Sequence, residues 1–317
     1  MRLAAKLAVF LLLPAIIVVF PFVVGDSETK ALDEDARAAM REESFIALDG
    51  GVTHYELAGP EDGPVVVFVH GLTSPYFIWD HQFQEVADAG FRVLRYDSFG
   101  RGLSDRPKVN YDADLFDRQL LNLLDALGID EPVTLVGLSM GGVTAIHFTD
   151  RHPRRVRAFV LFAPGGMREH LPVGARIITM PGIRNWMAKA FGDLFFERMV
   201  IARFTKDAAQ LEAIRENYAR QMQYKGYKRA VLNTLRHNRL YGLEPVFARV
   251  GKNGKPAMAI WGDRDTIVPP EHSERLRRAI PAIELHVIEG AGHTANYEFP
   301  DKVNPLLLDF LRNHARR

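Results

Sequence analysis

The chain has 317 residues, with 40 Lys plus Arg against 39 Asp plus Glu, a formal charge of +1. That balance, with no contiguous basic run, argues against a protein that grips nucleic acid through its phosphates. Hydrophobic residues make up 47% and charged residues 25%, as in a packed globule, and cysteine is absent. Disulfide frameworks, thiolate nucleophiles, iron–sulfur clusters and cysteine zinc sites are thereby excluded.

In chain order, the first signal is Leu7 to Val24, 18 consecutive residues without a charge, preceded by Arg2 and Lys6. As a helix this run is about 27 Å long, just under the hydrocarbon thickness of a bilayer. Residues 1–25 are therefore expected to be a membrane anchor or, with Val23-Val24-Gly25 as a poor cleavage site, a signal segment. Charge placement, basic before the run and acidic after it, predicts the following domain outside the cytoplasm. In the cleaved case the protein would be secreted or periplasmic. Residues 26–43 read as a charged linker with a helical turn or two around Ala36 and Met40.

From Ser44 onward short apolar runs alternate with helical periods, so 44–317 is expected to be one domain. Val52 to Ala58 alternates as a half-buried strand does, whereas Val65 to Val69 is a continuous β-branched run suited to a strand buried on both faces. Arg92 to Tyr96, Val133 to Val136, Ala158 to Phe162, Ala257 to Trp261 and Leu285 to Ile288 repeat the theme. Helical patterns at Leu115 to Leu127 and Met140 to Asp150 fall between them. Strand–helix alternation predicts an α/β fold with a mostly parallel sheet covered by helices on both faces.

One interval, from Phe162 to Ala257, carries no convincing strand. Met187, Phe191, Leu194, Phe195 and Met199 mark one helical face there, and Leu211, Ile214, Tyr218 and Met222 another. A helical cap over about 168–249 is expected, inserted above the sheet edge where ligands bind. Most of these stripes are expected simply to pack the cap onto the core. Other large apolar residues of the interval, among them Trp186, Phe196 and Phe204, are candidates to line a pocket.

The chemistry-bearing motifs sit at strand ends. Gly137-Leu138-Ser139-Met140-Gly141-Gly142 follows one strand and opens a helix, a turn tight enough to need glycine where a Cβ would clash. A serine hydroxyl is a poor nucleophile unless a base takes its proton and an acid holds that base. Asp265, in Gly262-Asp263-Arg264-Asp265, follows one later strand, and His293, in Gly290-Ala291-Gly292-His293, follows the next. Asp263 is assigned to the turn. After the third strand, His70-Gly71-Leu72 offers a backbone amide at Leu72 that, with the Met140 amide, can face a developing oxyanion. His70 itself is assigned a structural role.

Together, His70-Gly71, the stretch Tyr96-Asp97-Ser98-Phe99-Gly100-Arg101-Gly102-Leu103-Ser104-Asp105, the Ser139 turn, Asp265-Thr266-Ile267-Val268-Pro269 and Gly292-His293 resemble the lidded α/β-hydrolase-fold serine hydrolases, over about Ser44 to the C-terminus. The resemblance implies an eight-stranded sheet, a triad of Ser139, Asp265 and His293, and a scaffold role for Asp97 and Ser104. The histidines show no H-x-x-x-H or H-E-x-x-H spacing, so no metal is expected, and a serine triad needs no cofactor. Dehalogenases and epoxide hydrolases of the fold carry aspartate where this chain has Ser139. Ring-cleavage C–C hydrolases usually have asparagine before the serine and a Ser-Gly-Pro-Gly-like loop. Here Leu138 precedes the serine, and the loop runs Leu72-Thr73-Ser74-Pro75. Chloroperoxidase-like perhydrolases generally lack so large a cap. The expected activity is therefore that of an esterase or lipase-like enzyme acting on apolar or medium-chain acyl groups. A C–C or amide hydrolase with the same triad is the alternative, and a non-catalytic small-molecule receptor a third. The expected partners are a small-molecule ester and, through the N-terminal segment, a membrane, with no nucleic acid.

Overall fold

The computed structural model describes residues 27–170 and 208–315. Its strands are β1 (Ser44–Leu48), β2 (Gly51–Ala58), β3 (Val65–Val69), β4 (Arg92–Tyr96), β5 (Val133–Leu138), β6 (Val156–Phe162), β7 (Ala257–Gly262) and β8 (Glu284–Ile288). They form one sheet in the order β1-β2-β4-β3-β5-β6-β7-β8. β2 runs antiparallel to β1 and β4, and every pairing from β4–β3 to β7–β8 is parallel.

Parallel neighbours need crossovers, which pass through helices lying between the strands; the helices are numbered in chain order. They are α1 (Glu34–Ala38), α2 (Asp80–Asp88), α3 (Ala113–Ala126), α4 (Met140–Arg151), α5 (Ala208–Met222), α6 (Tyr227–His237), α7 (Glu244–Gly251), α8 (Glu271–Ala279), α9 (Ala295–Glu298) and α10 (Pro300–His314). Helix α3 starts where the Asp112 carboxylate accepts the Leu115 N–H at 2.9 Å, a side-chain cap for an otherwise orphaned donor.

Side chains alternate along the central strands, so each strand feeds two cores. Val66 and Phe68 of β3, Val136 and Leu138 of β5, and Met258 and Ile260 of β7 pack with Phe83 of α2 and Leu307 of α10. Val65, Val67 and Val69, with Leu135, Leu161 and Trp261, pack on the other face with Leu120 of α3, Ile146 of α4 and Leu276 of α8. This is why β3 reads as an unbroken apolar run.

Between β6 and β7 the described regular elements are the helices α5, α6 and α7, joined by turns and by the isolated bridge at Tyr224. Helix α5 lays Ile214, Tyr218 and Met222 into the first core, with Leu211 at its margin, so this stripe fastens the helix to the sheet domain. Helix α7 packs against α4 and α8 and puts Phe247 and Val250 into the second core. The Met187–Met199 stripe and Trp186, Phe196 and Phe204 lie outside the described residues.

The acidic stretch after residue 26 lies along the protein. Asp33 caps α1 through the Ala36 amide at 3.0 Å. Glu28 accepts the amides of Gly226 at 2.8 Å and Lys228 at 2.5 Å at the start of α6. Lys30 pairs with Tyr224 as an isolated parallel bridge.

One expectation is corrected. Among the described residues no helix is long and apolar enough to cross a membrane. The placement of the domain outside the cytoplasm on an N-terminal membrane helix, and with it the membrane as a partner, is therefore withdrawn. The 7–24 run from which it was drawn lies outside the described residues.

Candidate active site

The ends of β3, β5, β7 and β8 lie on one edge of the sheet because these strands are parallel. At the end of β5 the chain reverses into α4 through Ser139, whose φ is +54°. A positive φ is uncommon for a residue with a Cβ, and it is held here by packing and hydrogen bonds. The Ser139 N–H donates to the Phe162 carbonyl at 2.8 Å, and the Ser139 carbonyl accepts the amides of Val143 and Gly165 at 3.2 Å. The flanking glycines are required by contact. A Cβ at Gly137 would lie 2.4 Å from the Gly141 carbonyl oxygen, and one at Gly141 only 2.0 Å from that of Val69.

Asp265, almost wholly buried, and His293 meet across the β7 and β8 loops. Nδ1 of His293 lies 2.7 Å from Oδ2 of Asp265. The other carboxylate oxygen, Oδ1, accepts the amides of Ile267 at 2.8 Å and Val268 at 2.9 Å. A carboxylate held this way can only accept, so the imidazole proton sits on Nδ1 and the Nε2 lone pair is left over. The loops close tightly, since a Cβ at Gly262 would meet the Gly292 carbonyl oxygen at 2.1 Å. Among the described residues, Ser139 Oγ and His293 share no hydrogen bond. Such bonds are often long until substrate tightens them.

The neighbouring residues sort by their partners. Asp263 is exposed and accepts the Gly290 amide at 2.7 Å, lacing the two loops without reaching His293. His70 is fully buried; its Nδ1–H donates to the Gly71 carbonyl at 2.7 Å and its Nε2 accepts the Ser98 amide at 2.8 Å. Burial pushes its pKa down to about 4, so it is a neutral strut. Asp97 accepts the amides of Tyr76 and Leu103, both at 2.9 Å, and Ser104 donates to the Asp97 carbonyl at 2.6 Å. The loop after β3 lies beside the elbow, with a Cβ built on Gly71 falling 3.7 Å from that of Ser139. Met140 is buried and Leu72 half-buried next to it, both against the Phe99, Tyr111 and Phe116 cluster.

Two groups of residues have no counterpart among the sequence motifs. Glu298 of α9 accepts the amides on both sides of His293, from Gly292 at 3.1 Å and Thr294 at 3.3 Å. The one-turn spacing of Thr294 and Glu298 at the start of α9 was its only local signal. Side chains of α5 and α6 hold the Thr73 backbone, and nothing local in the sequence announces that.

With this geometry in place, the kinship can be given. A family model described as the alpha/beta hydrolase fold matches residues 64–300. The chain is 31% identical over 282 residues to a 2-hydroxy-6-oxo-6-phenylhexa-2,4-dienoate hydrolase of Comamonas testosteroni, covering 84% of this chain and 93% of that one. A thermophilic esterase from Thermogutta terrifontis superposes with a TM-score of 0.73 at 24% identity, over 86% of this chain and 98% of that one. The enol-lactonase from Burkholderia xenovorans LB400 gives 0.67 at 24% identity, over 85% and 100%. The last two likenesses speak to fold. This chain belongs to the α/β-hydrolase-fold family and is a hydrolase of that fold.

Proposed function

We propose that the protein is a serine hydrolase that cleaves carboxylic esters through an acyl-enzyme on Ser139. His293 takes the Ser139 proton as the hydroxyl attacks the acyl carbon, then returns it to the departing alcohol. Asp265 holds the imidazole in the Nδ1–H form and stabilises the imidazolium. The amides of Leu72 and Met140 donate to the oxyanion. Water, activated by the same histidine, then attacks the acyl carbon and restores Ser139 with release of the acid. The observation that carries this reading is the buried Asp265–His293 pair at 2.7 Å on the strand edge that also bears Ser139 at φ +54°. Leu138 before the serine and the Leu72-Thr73-Ser74-Pro75 loop favour an ester over a ring-cleavage dienoate.

A second reading, C–C bond hydrolysis with the same three residues, is favoured by the 31% identity to a dienoate hydrolase. Initial rates on p-nitrophenyl esters of two to eight acyl carbons, set beside those on a 2-hydroxy-6-oxo-dienoate, separate the two. Ester kcat/KM should exceed dienoate kcat/KM and rise with chain length. Each methylene buried contributes about 0.8 kcal/mol, roughly fourfold. Dienoate turnover tenfold above the best ester would hand the assignment to the second reading.

A further inference from the structure

Thr73, the residue after Leu72, is held by side chains of the helices inserted between β6 and β7. The Thr73 carbonyl accepts Nε2 of Gln221 at 2.9 Å and the Tyr227 hydroxyl at 3.0 Å. The Thr73 hydroxyl is 2.8 Å from that of Tyr218. Gln221 uses its other end as well, its Oε1 accepting the Gly102 amide at 3.1 Å. One residue earlier, the Leu72 carbonyl accepts Nε of Arg101 at 2.8 Å. The same guanidinium donates to the Phe99 carbonyl at 3.0 Å and to the Thr234 hydroxyl of α6 at 2.8 Å.

These side chains are out of water. Tyr218, Tyr227 and Arg101 are 0% exposed and Gln221 2%. Arg101 has no carboxylate partner among the described residues and lies 5.9 Å and 5.6 Å from the ring centroids of Tyr111 and Phe116. Burial lowers its pKa to about 10, which leaves it a cation near neutrality. A cation buried without a counter-ion is costly, so its carbonyl and hydroxyl acceptors must be fixed around it.

An oxyanion donor is useful only if it already points where charge will develop, and displacement by about 1 Å can cost about 100-fold. The sheet domain ties the loop on either side of Thr73, through His70 at the Gly71 carbonyl, Arg101 at the Leu72 carbonyl and Asp97 at the Tyr76 amide, and α5 and α6 hold Thr73 itself. We propose that α5 and α6 are a brace for the oxyanion loop: Gln221, Tyr227 and Tyr218 act through Thr73, and Arg101 through Leu72, as positioning residues for the Leu72 amide. The inference rests on the serine-hydrolase reading above. Its consequence is that these two helices cannot swing open during turnover without taking the oxyanion donor out of place.

The test uses the full chain and a trifluoromethyl ketone, whose adduct with a serine hydroxyl carries an oxyanion like that of acyl transfer. Gln221→Leu, Tyr227→Phe and Thr73→Val are compared with wild type for kcat, KM, pH profile, Tm and inhibitor affinity. Gln221→Leu should lower kcat and inhibitor affinity together, by about tenfold or more, with KM and the shape of the pH profile unchanged. Tyr227→Phe, which removes one oxygen, and Thr73→Val, which puts a methyl in place of the hydroxyl, should lower both by smaller factors. If Gln221→Leu does not fold, those two variants decide by the same pair of readouts. A change confined to Tm or KM, with kcat and inhibitor affinity at the wild-type level, overturns the brace while leaving the triad intact. A wild type that forms no Ser139-dependent adduct overturns the serine-hydrolase reading and the brace with it.

Discussion

Two histidines of this chain meet buried aspartates through Nδ1 at the same distance, 2.7 Å, and only one of them is assigned to chemistry. His293 faces Asp265 across the β7 and β8 loops. His54 of β2 faces Asp97 after β4, and its Nε2 is also taken, by Glu43 at 2.8 Å. Glu43 is in turn paired with Arg220 of α5 at 2.6 Å. Both partners of His54 are acceptors, so its ring must carry two protons. Burial opposes that charge, but the hydrogen bonds that His54 donates to Asp97 and Glu43 outweigh it and raise the pKa to about 9. The His54 hydrogen bond likewise holds Glu43 down at about 2. Asp97 also ends at about 2, because burial is overcome by the same imidazolium. A histidine–aspartate contact is therefore not by itself a catalytic signature; the second nitrogen decides. His54 has spent it on a fixed charge, and among the described residues no group is hydrogen-bonded to Nε2 of His293.

The sharpest way to break this contrast is Ser139→Ala. Ester turnover should fall to the level of the uncatalysed reaction, by about 10⁶-fold where the triad acts as a unit. Tm should stay within a few degrees, since a smaller side chain fits the elbow. Turnover persisting at wild-type rates would show that His293 serves some other nucleophile or none.

The two aspartates should then separate by the kind of damage they do. Asp265→Asn should cost about 10⁴ in kcat through loss of the Nδ1–H tautomer, with little change in unfolding. Asp97→Asn should do the reverse. It leaves the buried His54 charge half-paired, a loss of about 3–5 kcal/mol in stability, while molecules that fold keep their kcat. Denaturant unfolding and initial rates on the same preparations decide. Equal losses of kcat in both variants would mean that the His54 network belongs to the active site.

How much of this could be read beforehand follows the range of the interactions. The bounds of β3 coincide with its apolar run, because burial on both faces leaves no polar position to confuse the edge. Ser139, Asp265 and His293 could be nominated from the sequence because each stands in a short motif that follows a strand. Strand β1 was not named, since its exposed and half-buried residues lack a clean alternation. The stretch before it read as a linker because its acidic residues are indistinguishable from solvated ones. What fixes Glu28 and Glu43 are partners 200 and 177 residues away, at Lys228 and Arg220. The same holds for Gln221 and Tyr227, 148 and 154 residues from Thr73. Local patterns carry periodicity and turns, whereas such pairings arise only once the chain has folded.

Proton linkage gives a gentler test of the same contrast. His54 has a folded pKa of about 9, above the 6.5 of a free imidazole. Its contribution to stability is thus fully present below pH 6.5 and is lost as pH rises through 9. Tm should fall from pH 7 to 9.5 in the wild type. His54→Gln should start lower at pH 7 and show a flatter decline over that interval. Parallel curves for the two proteins would remove the imidazolium from the account.

The smallest effect is expected two residues from Asp265, the acid of the proposed triad. Asp263 lies in the same turn as Asp265 and carries the same carboxylate, so composition and spacing alone do not rank them. Its surroundings do. Asp263 is exposed and spends Oδ1 on the Gly290 amide at 2.7 Å, whereas Asp265 is buried and meets His293. Asn in place of Asp263 retains an oxygen for that amide. The change should cost under about 1 kcal/mol in stability and leave kcat within about twofold. The measurement is the ratio of kcat between Asp263→Asn and Asp265→Asn on a single ester, expected near 10⁴. A ratio below one would move the acid to Asp263 and would require the β7 loop to rearrange before catalysis.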